Sequence, residues 1–223
     1  MPCLKSVLAS LDAMKRRTTP YEVRVDGIRL TAESGVFCPA YFQDSVWIAN
    51  QMAALVRNKS ILEIGTGVGF TAIACALSGA KVVATDINPA AVRSCDENCK
   101  RLNLPIDVRQ GNLFEPIKSN ERFDAIFWNH PWFHVEESTA DLLQLAVVDP
   151  HYSNLERFVR KGKQFLNPMG SLYLGTAHLA RIDLIRSIAR VNAYDFDIIA
   201  ENTRPGLHEG ESLTLLICEL RPL

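Results

Sequence analysis

Residues 60–70 read Ser-Ile-Leu-Glu-Ile-Gly-Thr-Gly-Val-Gly-Phe. Ile61, Leu62 and Ile64 form a short apolar run that stops at glycine, the pattern of a buried parallel strand leaving its sheet through a tight turn. Glycines stand at 65, 67 and 69, and an apolar-periodic stretch from Phe70 to Leu77 follows at once. The order is strand, glycine turn, helix N-terminus. Glycine lacks a Cβ, so the backbone bends sharply and a ligand can lie directly against it. The free N–H groups of the following helix then face that ligand.

Spacing and charge narrow the ligand. The dinucleotide fingerprint is G-x-G-x-x-G, whereas this stretch is G-x-G-x-G, with Phe70 where the third dinucleotide glycine belongs. Glu63, two residues before the first glycine, suits a cationic ammonium better than a pyrophosphate. Lys81-Val-Val-Ala-Thr-Asp86 reads as a second buried strand ending in an acid. In an open parallel sheet such an acid can accept bonds from ribose hydroxyls.

These residues carry a resemblance. Glu63-Ile-Gly-Thr-Gly-Val-Gly69 and Val83-Ala-Thr-Asp86 resemble the first two motifs of class I S-adenosylmethionine-dependent methyltransferases. Asn129-His-Pro-Trp132, after the apolar strand 123–128, is similar to their Asn-Pro-Pro-Tyr signature. Gly35-Val-Phe37 and Asp44-Ser45 are similar to the small methyltransferase subfamily, which includes release-factor glutamine and ribosomal RNA guanine-N2 methyltransferases. The likeness runs from about residue 34 to about residue 175. It implies S-adenosylmethionine as cofactor, bound by Glu63, Gly65, Thr66, Gly67, Gly69, Phe70, Asp86, Ile87, Asn112, Leu113 and Asn129. It implies catalysis by Asn129, His130, Pro131 and Trp132: the Asn129 side-chain carbonyl and the His130 main-chain carbonyl accept the N–H hydrogens of a planar nitrogen that stacks on Trp132.

Two positions depart from the family pattern. His130 replaces a proline, which frees one φ angle and sets a titratable ring beside the target. That ring either takes the released proton or is a solvated or packed side chain. Asn112 replaces an aspartate that accepts from the adenine amino group; asparagine can accept through its oxygen. Phe37, Phe133 and His134 are candidate substrate contacts, with packing as the alternative for each.

The chain has 223 residues, 48% of them apolar, enough for one domain with a substantial core. Its formal charge of −1 gives no global attraction to nucleic acid. Lys5, Lys15, Arg16, Arg17, Arg24 and Arg29 near the N-terminus form either a local substrate-facing patch or ordinary solvated surface. No apolar run is long enough to span a bilayer, and charges interrupt the N-terminus early, so a cytoplasmic protein is expected. Cysteines at 3, 38, 75, 95, 99 and 218 make no disulfide framework and read as reduced buried thiols. No metal ligand set is expected: Cys95 and Cys99 lack a second pair, and Asp149 and His151 lack a third donor.

A helix over 3–16 and a hairpin about Asp26-Gly27 are expected to form a cover, residues 1–40, over the methyltransferase domain 41–223. Beyond it the spacing predicts helices at 41–57, 69–79, 88–102, 152–166 and 179–190, and strands at 60–64, 81–86, 106–110, 123–128, 171–175, 194–201 and 212–220. The stretch before Asp149 reads as poorly ordered or partly helical. Thr203 to Gly210 reads as the turn of an antiparallel return. The fold class is α/β, a Rossmann-like doubly wound, mostly parallel seven-stranded sheet with an antiparallel last strand, preceded by a short helix and a β-hairpin. Function is read as N-methylation of an amide or exocyclic amine in a nucleic acid or a protein, with a small-molecule acceptor open. A non-catalytic cofactor-binding scaffold is the alternative from another class, and a nicotinamide oxidoreductase the more distant one.

Overall fold

The computed structural model describes residues 2–17, 20–206 and 211–223, without the side chains of residues 2 and 3. Helix α1 (Pro2–Lys15) precedes the hairpin β1 (Tyr21–Val25) and β2 (Ile28–Ala32), whose turn residues Asp26 and Gly27 both have positive φ. Helix α2 (Asp44–Leu55) leads into an alternation: β3 (Ser60–Ile64), α3 (Phe70–Leu77), β4 (Lys81–Asp86), α4 (Pro89–Arg101), β5 (Asp107–Gln110) and β6 (Phe123–Asn129). Then come β7 (Phe133–Val135), β8 (Val148–Pro150), α5 (Ser153–Gly162), β9 (Leu166–Ala177), α6 (Ile182–Val191), β10 (Tyr194–Pro205) and β11 (Ser212–Pro222).

Seven strands form the central sheet in the order β10-β11-β9-β6-β3-β4-β5. From β9 to β5 every neighbour is parallel, while β11 runs against both β9 and β10. This is the Rossmann-like architecture expected from the sequence. Period-two alternation sorts the strand side chains onto two cores. Ile61, Val82, Phe127 and Ile217 pack beneath α2, α3 and α4. Leu62, Ile64, Ile126 and Leu174 meet Leu155, Phe158 and Val159 of α5 and Ile185 and Ala189 of α6. Among the described residues no helix is long and apolar enough to cross a membrane, and Cys38, Cys75, Cys95, Cys99 and Cys218 are buried and free.

Several elements differ from the sequence expectation. The stretch expected to be poorly ordered or partly helical before Asp149 has a 3-10 turn at Gln144–Ala146 and, unexpected, β7 and β8, a parallel pair in register Phe133↔Val148 to Val135↔Pro150. Three-residue strands carry too little periodicity to read, and their pairing is with each other rather than with the sheet. The helix expected to reach 166 ends at Gly162, followed by a 3-10 turn over 163–165. There α5 lies so close to β9 that a Cβ on Gly162 would meet Leu172 Cδ2 at 2.7 Å. Asn167-Pro168 does not separate helix from strand. It lies within β9, whose pairing with β6 jumps from Phe123↔Leu166 to Ala125↔Ser171. The turn residues bulge out of the ladder instead of ending the strand, and Asn167 Nδ2 donates to Asp124 Oδ1 at 2.6 Å. In the expected turn 203–210, Thr203–Pro205 extends β10, and residues 207–210 lie outside the described residues.

The N-terminal elements are fastened at two separate places. Val7, Leu11 and Met14 of α1 pack with Phe133, Leu143 and Val148, and Lys15 pairs with Asp141. The hairpin is fixed to α4 through Asn98, which is wholly buried. Asn98 Oδ1 accepts from Thr31 N at 2.8 Å, and its Nδ2 donates to Thr31 O and Val68 O at 2.9 Å each. One side chain therefore ties β2 to the glycine turn. Replacing Asn98 with Ala strands those backbone groups in a dry site, at about 3 kcal/mol. A denaturant titration of Asn98→Ala should report that loss, and a shift under about 1 kcal/mol would contradict the assignment.

Candidate active site

β3 and β6 are neighbours in register, Ile64 beside Trp128. Gly65, the first residue after β3, and Asn129, the last of β6 and paired on its other side with Gly175, stand at the same level on strands about 4.8 Å apart. Gly65, Gly67 and Gly69 all have positive φ (68°, 57° and 88°). A Cβ on Gly67 would sit 3.0 Å from the Phe37 carbonyl oxygen, and one on Gly65 would sit 3.2 Å from Trp128 Nε1. Side chains there would obstruct the wall of a cavity of about 940 Å³, within the usual range of about 300–1,000 Å³ for ligand sites. Gly69 does not line this cavity. Its missing Cβ, 2.6 Å from Cys95 Sγ, lets the start of α3 close on α4, so its part is packing.

The expected cofactor residues Glu63, Gly65, Thr66, Gly67, Phe70, Asp86, Ile87, Asn112, Leu113 and Asn129 all line the cavity. Glu63 is 3% exposed and accepts from Thr66 Oγ1 at 2.7 Å. Burial, aided by the nearby Asp86 charge and opposed by that hydroxyl, pushes its pKa up to about 7. Asp86 accepts from Gly67 N at 2.9 Å and from Asn88 N at 2.8 Å, which fixes the glycine turn to the end of β4. Partial burial raises its pKa despite those N–H donors. A carboxylate offers about four acceptor sites, so capacity remains for a hydroxyl. Asn88 caps α4 at Ala90 N and donates through Nδ2 to Gly35 O at 3.1 Å, holding the 35–37 segment over the turn.

The tetrapeptide is a rigid tip. Asn129 Oδ1 is buried with no hydrogen-bond partner among the described residues. It fits only because residue 175 is glycine: a Cβ there would approach Asn129 Oδ1 at 3.0 Å and Ile48 Cγ2 at 2.8 Å. Of the two alternatives for His130, packing is what the fold shows. The ring is 1% exposed, its Nε2 lies 3.0 Å from Thr176 Oγ1, and it stands edge-on to Trp128 and Tyr152. Burial lowers its pKa to about 3, so it is neutral at physiological pH. Trp132 is half-buried, and its carbonyl accepts from Tyr152 Oη at 2.7 Å. Tyr152 is fully buried with positive φ, and its oxygen also accepts from Arg181 N at 3.2 Å.

Of the three candidate substrate residues, Phe37, stacked on Phe42 at 4.8 Å, and Phe133 line the cavity. His134 does not. Alternation along β7 turns it to the opposite face from Phe133, toward Tyr152 and His151. Asp149 is buried and accepts from Asn154 N and Leu155 N, capping α5 as a helix-start residue. The missing third donor near His151 is supplied by distant chain: His134, Glu136 and His151 have donor atoms within 4.8 Å of one another. Tyr152, Gly175 and Arg204 were not singled out from sequence. A lone tyrosine, a strand glycine and an arginine on a return strand carry no local signal of a shared site.

Residues 27–195 match the family described as the Methyltransferase small domain. The chain belongs to this family. It is 39% identical over 116 residues to a candidate protein N5-glutamine methyltransferase of Methanocaldococcus jannaschii, covering 52% of this chain and 56% of that one. It is 30% identical over 131 residues to the release factor glutamine methyltransferase of Streptococcus pneumoniae, covering 54% of this chain and 46% of the relative. The chain thus spans about half the length of these relatives. Among solved structures, the 16S rRNA guanine-N2 methyltransferase of T. thermophilus, in complex with AdoMet and guanosine, has the same fold. Its TM-score is 0.59 at 21% identity, covering 92% of this chain and 50% of that one.

Burial of the Glu63 acid in this small methyltransferase domain makes its stability depend on pH. The folded pKa of Glu63 lies above its unfolded value, so ionisation opposes folding. The associated stability is present below about pH 4.5 and is lost as pH rises toward 7, on the order of 3 kcal/mol. Glu63→Gln keeps an acceptor for Thr66 and removes the charge. Thermal melts at pH 8 should show it more stable than the natural chain, with the difference shrinking below pH 5. A variant less stable at both pH values would contradict this.

Proposed function

We propose that the chain is an S-adenosylmethionine-dependent N-methyltransferase whose acceptor is a planar nitrogen, with a protein glutamine amide favoured. The observation that carries this reading is the shared level of Gly65 and Asn129 on adjoining strands at one cavity. When bound, S-adenosylmethionine supplies a sulfonium methyl carbon to the acceptor nitrogen, the S–C electrons staying on sulfur and an N–H proton leaving.

Glu63 receives the cofactor's ammonium, and the remaining acceptor capacity of Asp86 receives a ribose hydroxyl. Ile87, Asn112 and Leu113 flank the adenine. Asn129 and the His130 main-chain carbonyl accept the acceptor's N–H hydrogens, which frees a lone pair otherwise delocalised into the π-system. No described residue donates to Asn129 Oδ1, so a half-turn of the amide that brings the oxygen to an N–H of the methyl acceptor breaks no bond to it. Trp132 offers a flat face, and Tyr152 and Pro131 keep it in place. Holding the nitrogen in line with the methyl carbon can contribute about 7–11 kcal/mol in favourable cases. The His130 ring, with its low pKa, is a poor base, and the proton leaves to water.

A protein amide is favoured over a polynucleotide by two observations. Arg204 is the single Lys or Arg among the described cavity-lining residues, and it faces Asp44 at 3.5 Å. A phosphate-binding mouth would need more basic side chains. Two of the relatives, each matched over about half of this chain, are also named for glutamine. A nucleobase amine remains the second reading, supported by the guanosine in the solved neighbour.

Three measurements test this. Asn129→Ala should lower methyl transfer at least ~10²-fold while calorimetric affinity for S-adenosylmethionine stays nearly unchanged; equal loss of both would refute the role. Incubation of cell extract with the tritiated cofactor should place label in protease-sensitive material. Label in nuclease-sensitive material would transfer the assignment to the nucleobase reading, and no label in any fraction would favour a non-catalytic scaffold. Cofactor affinity should also rise between pH 6 and 7.5 as Glu63 ionises, and a flat profile would contradict its contact with the ammonium.

A further inference from the structure

We propose that His134, Glu136 and His151 form a binding site for a zinc-like divalent transition-metal ion on the outer side of the tetrapeptide loop. The site is separate from the cavity, whose lining contains none of the three. It stands on the pairing of β7 with β8: His151 N donates to Val135 O at 2.9 Å, which brings the chain after β8 alongside the chain after β7. His134 lies in β7, and Glu136 is in the bend that follows the strand directly. His151 has positive φ, 53°, and its Nδ1 lies 3.2 Å from Glu136 Oε2.

The donor set selects the ion. Two imidazole nitrogens and one carboxylate oxygen suit zinc and its neighbours in the first transition row, whereas magnesium and calcium call for oxygen ligands throughout. A tetrahedral zinc with ligands at about 2.0–2.2 Å holds them about 3.4 Å apart. The widest pair here lies within 4.8 Å. The remaining closure falls to side chains free to move, since those of Glu136 and His151 are 78% and 60% exposed. His134 makes no hydrogen bond through its ring nitrogens with any described residue and meets the rings of His151 and Tyr152 edge-on. Three protein ligands leave a fourth position for water.

The ion would have a positioning effect. It would join β7, which continues from the tetrapeptide, to the turn carrying Tyr152, whose hydroxyl holds the Trp132 carbonyl.

The test uses the untagged chain after chelator treatment, titrated calorimetrically with zinc chloride, with cobalt chloride absorption reporting coordination. The expected result is one zinc per chain and a rise in melting temperature on its addition. His134→Ala and His151→Ala should each weaken binding at least tenfold and abolish the rise, and Glu136→Gln should weaken it less. His151 and Glu136 are exposed, so their variants separate binding from folding. No zinc binding at millimolar zinc would overturn the proposal, as would unchanged affinity and stoichiometry in His151→Ala and Glu136→Gln.

Discussion

The parallel pairing of β3 with β6 is the constraint on which the rest of the molecule depends. It fixes the glycine turn and the Asn-His-Pro-Trp tip at one level on adjacent strands, with Ile64 facing Trp128 across the ladder. Both strands are buried between two helical layers, so their register is held by the cores on either side. A one-residue slip would exchange Leu62 for Glu63 on the face packed against α5, which no compensating contact could absorb.

That scaffold supports groups that would be unfavourable alone. Glu63 is an acid in a dry site, with a pKa near neutrality. Asn129 Oδ1 is a buried acceptor with no donor among the described residues. Both are features a ligand can satisfy: a cation for the first, N–H hydrogens for the second. His130 is the opposite case, a side chain that could have been chemical but is sealed between two aromatic rings and Thr176. Its contribution to the loop is shape and a main-chain carbonyl.

What the sequence disclosed and what it hid follow one physical division. Strand, glycine turn and helix are read from neighbours in the chain, so β3, α3, β4 and the tetrapeptide were legible residue by residue. Asn98, Tyr152 and Gly175 act across 67, 20 and 46 residues of separation, and no local pattern marks them. Gly69 has the spacing of a ligand-binding glycine but serves the contact of α3 with α4. Asn167-Pro168 has the composition of a turn, yet the β6 ladder on one side and β11 on the other recapture the chain. For His134 the sequence leaves substrate contact and packing open, because the strand that orients it is only three residues long; the fold packs it against Tyr152 and His151.

The most direct test of the central claim is a crystal structure of the chain soaked with S-adenosylhomocysteine. The account predicts its amino group at Glu63, its ribose at Asp86, and its sulfur turned toward Asn129 and the His130 carbonyl. A compound lodged away from the Gly65–Gly67 turn, or a sulfur facing away from Asn129, would contradict it.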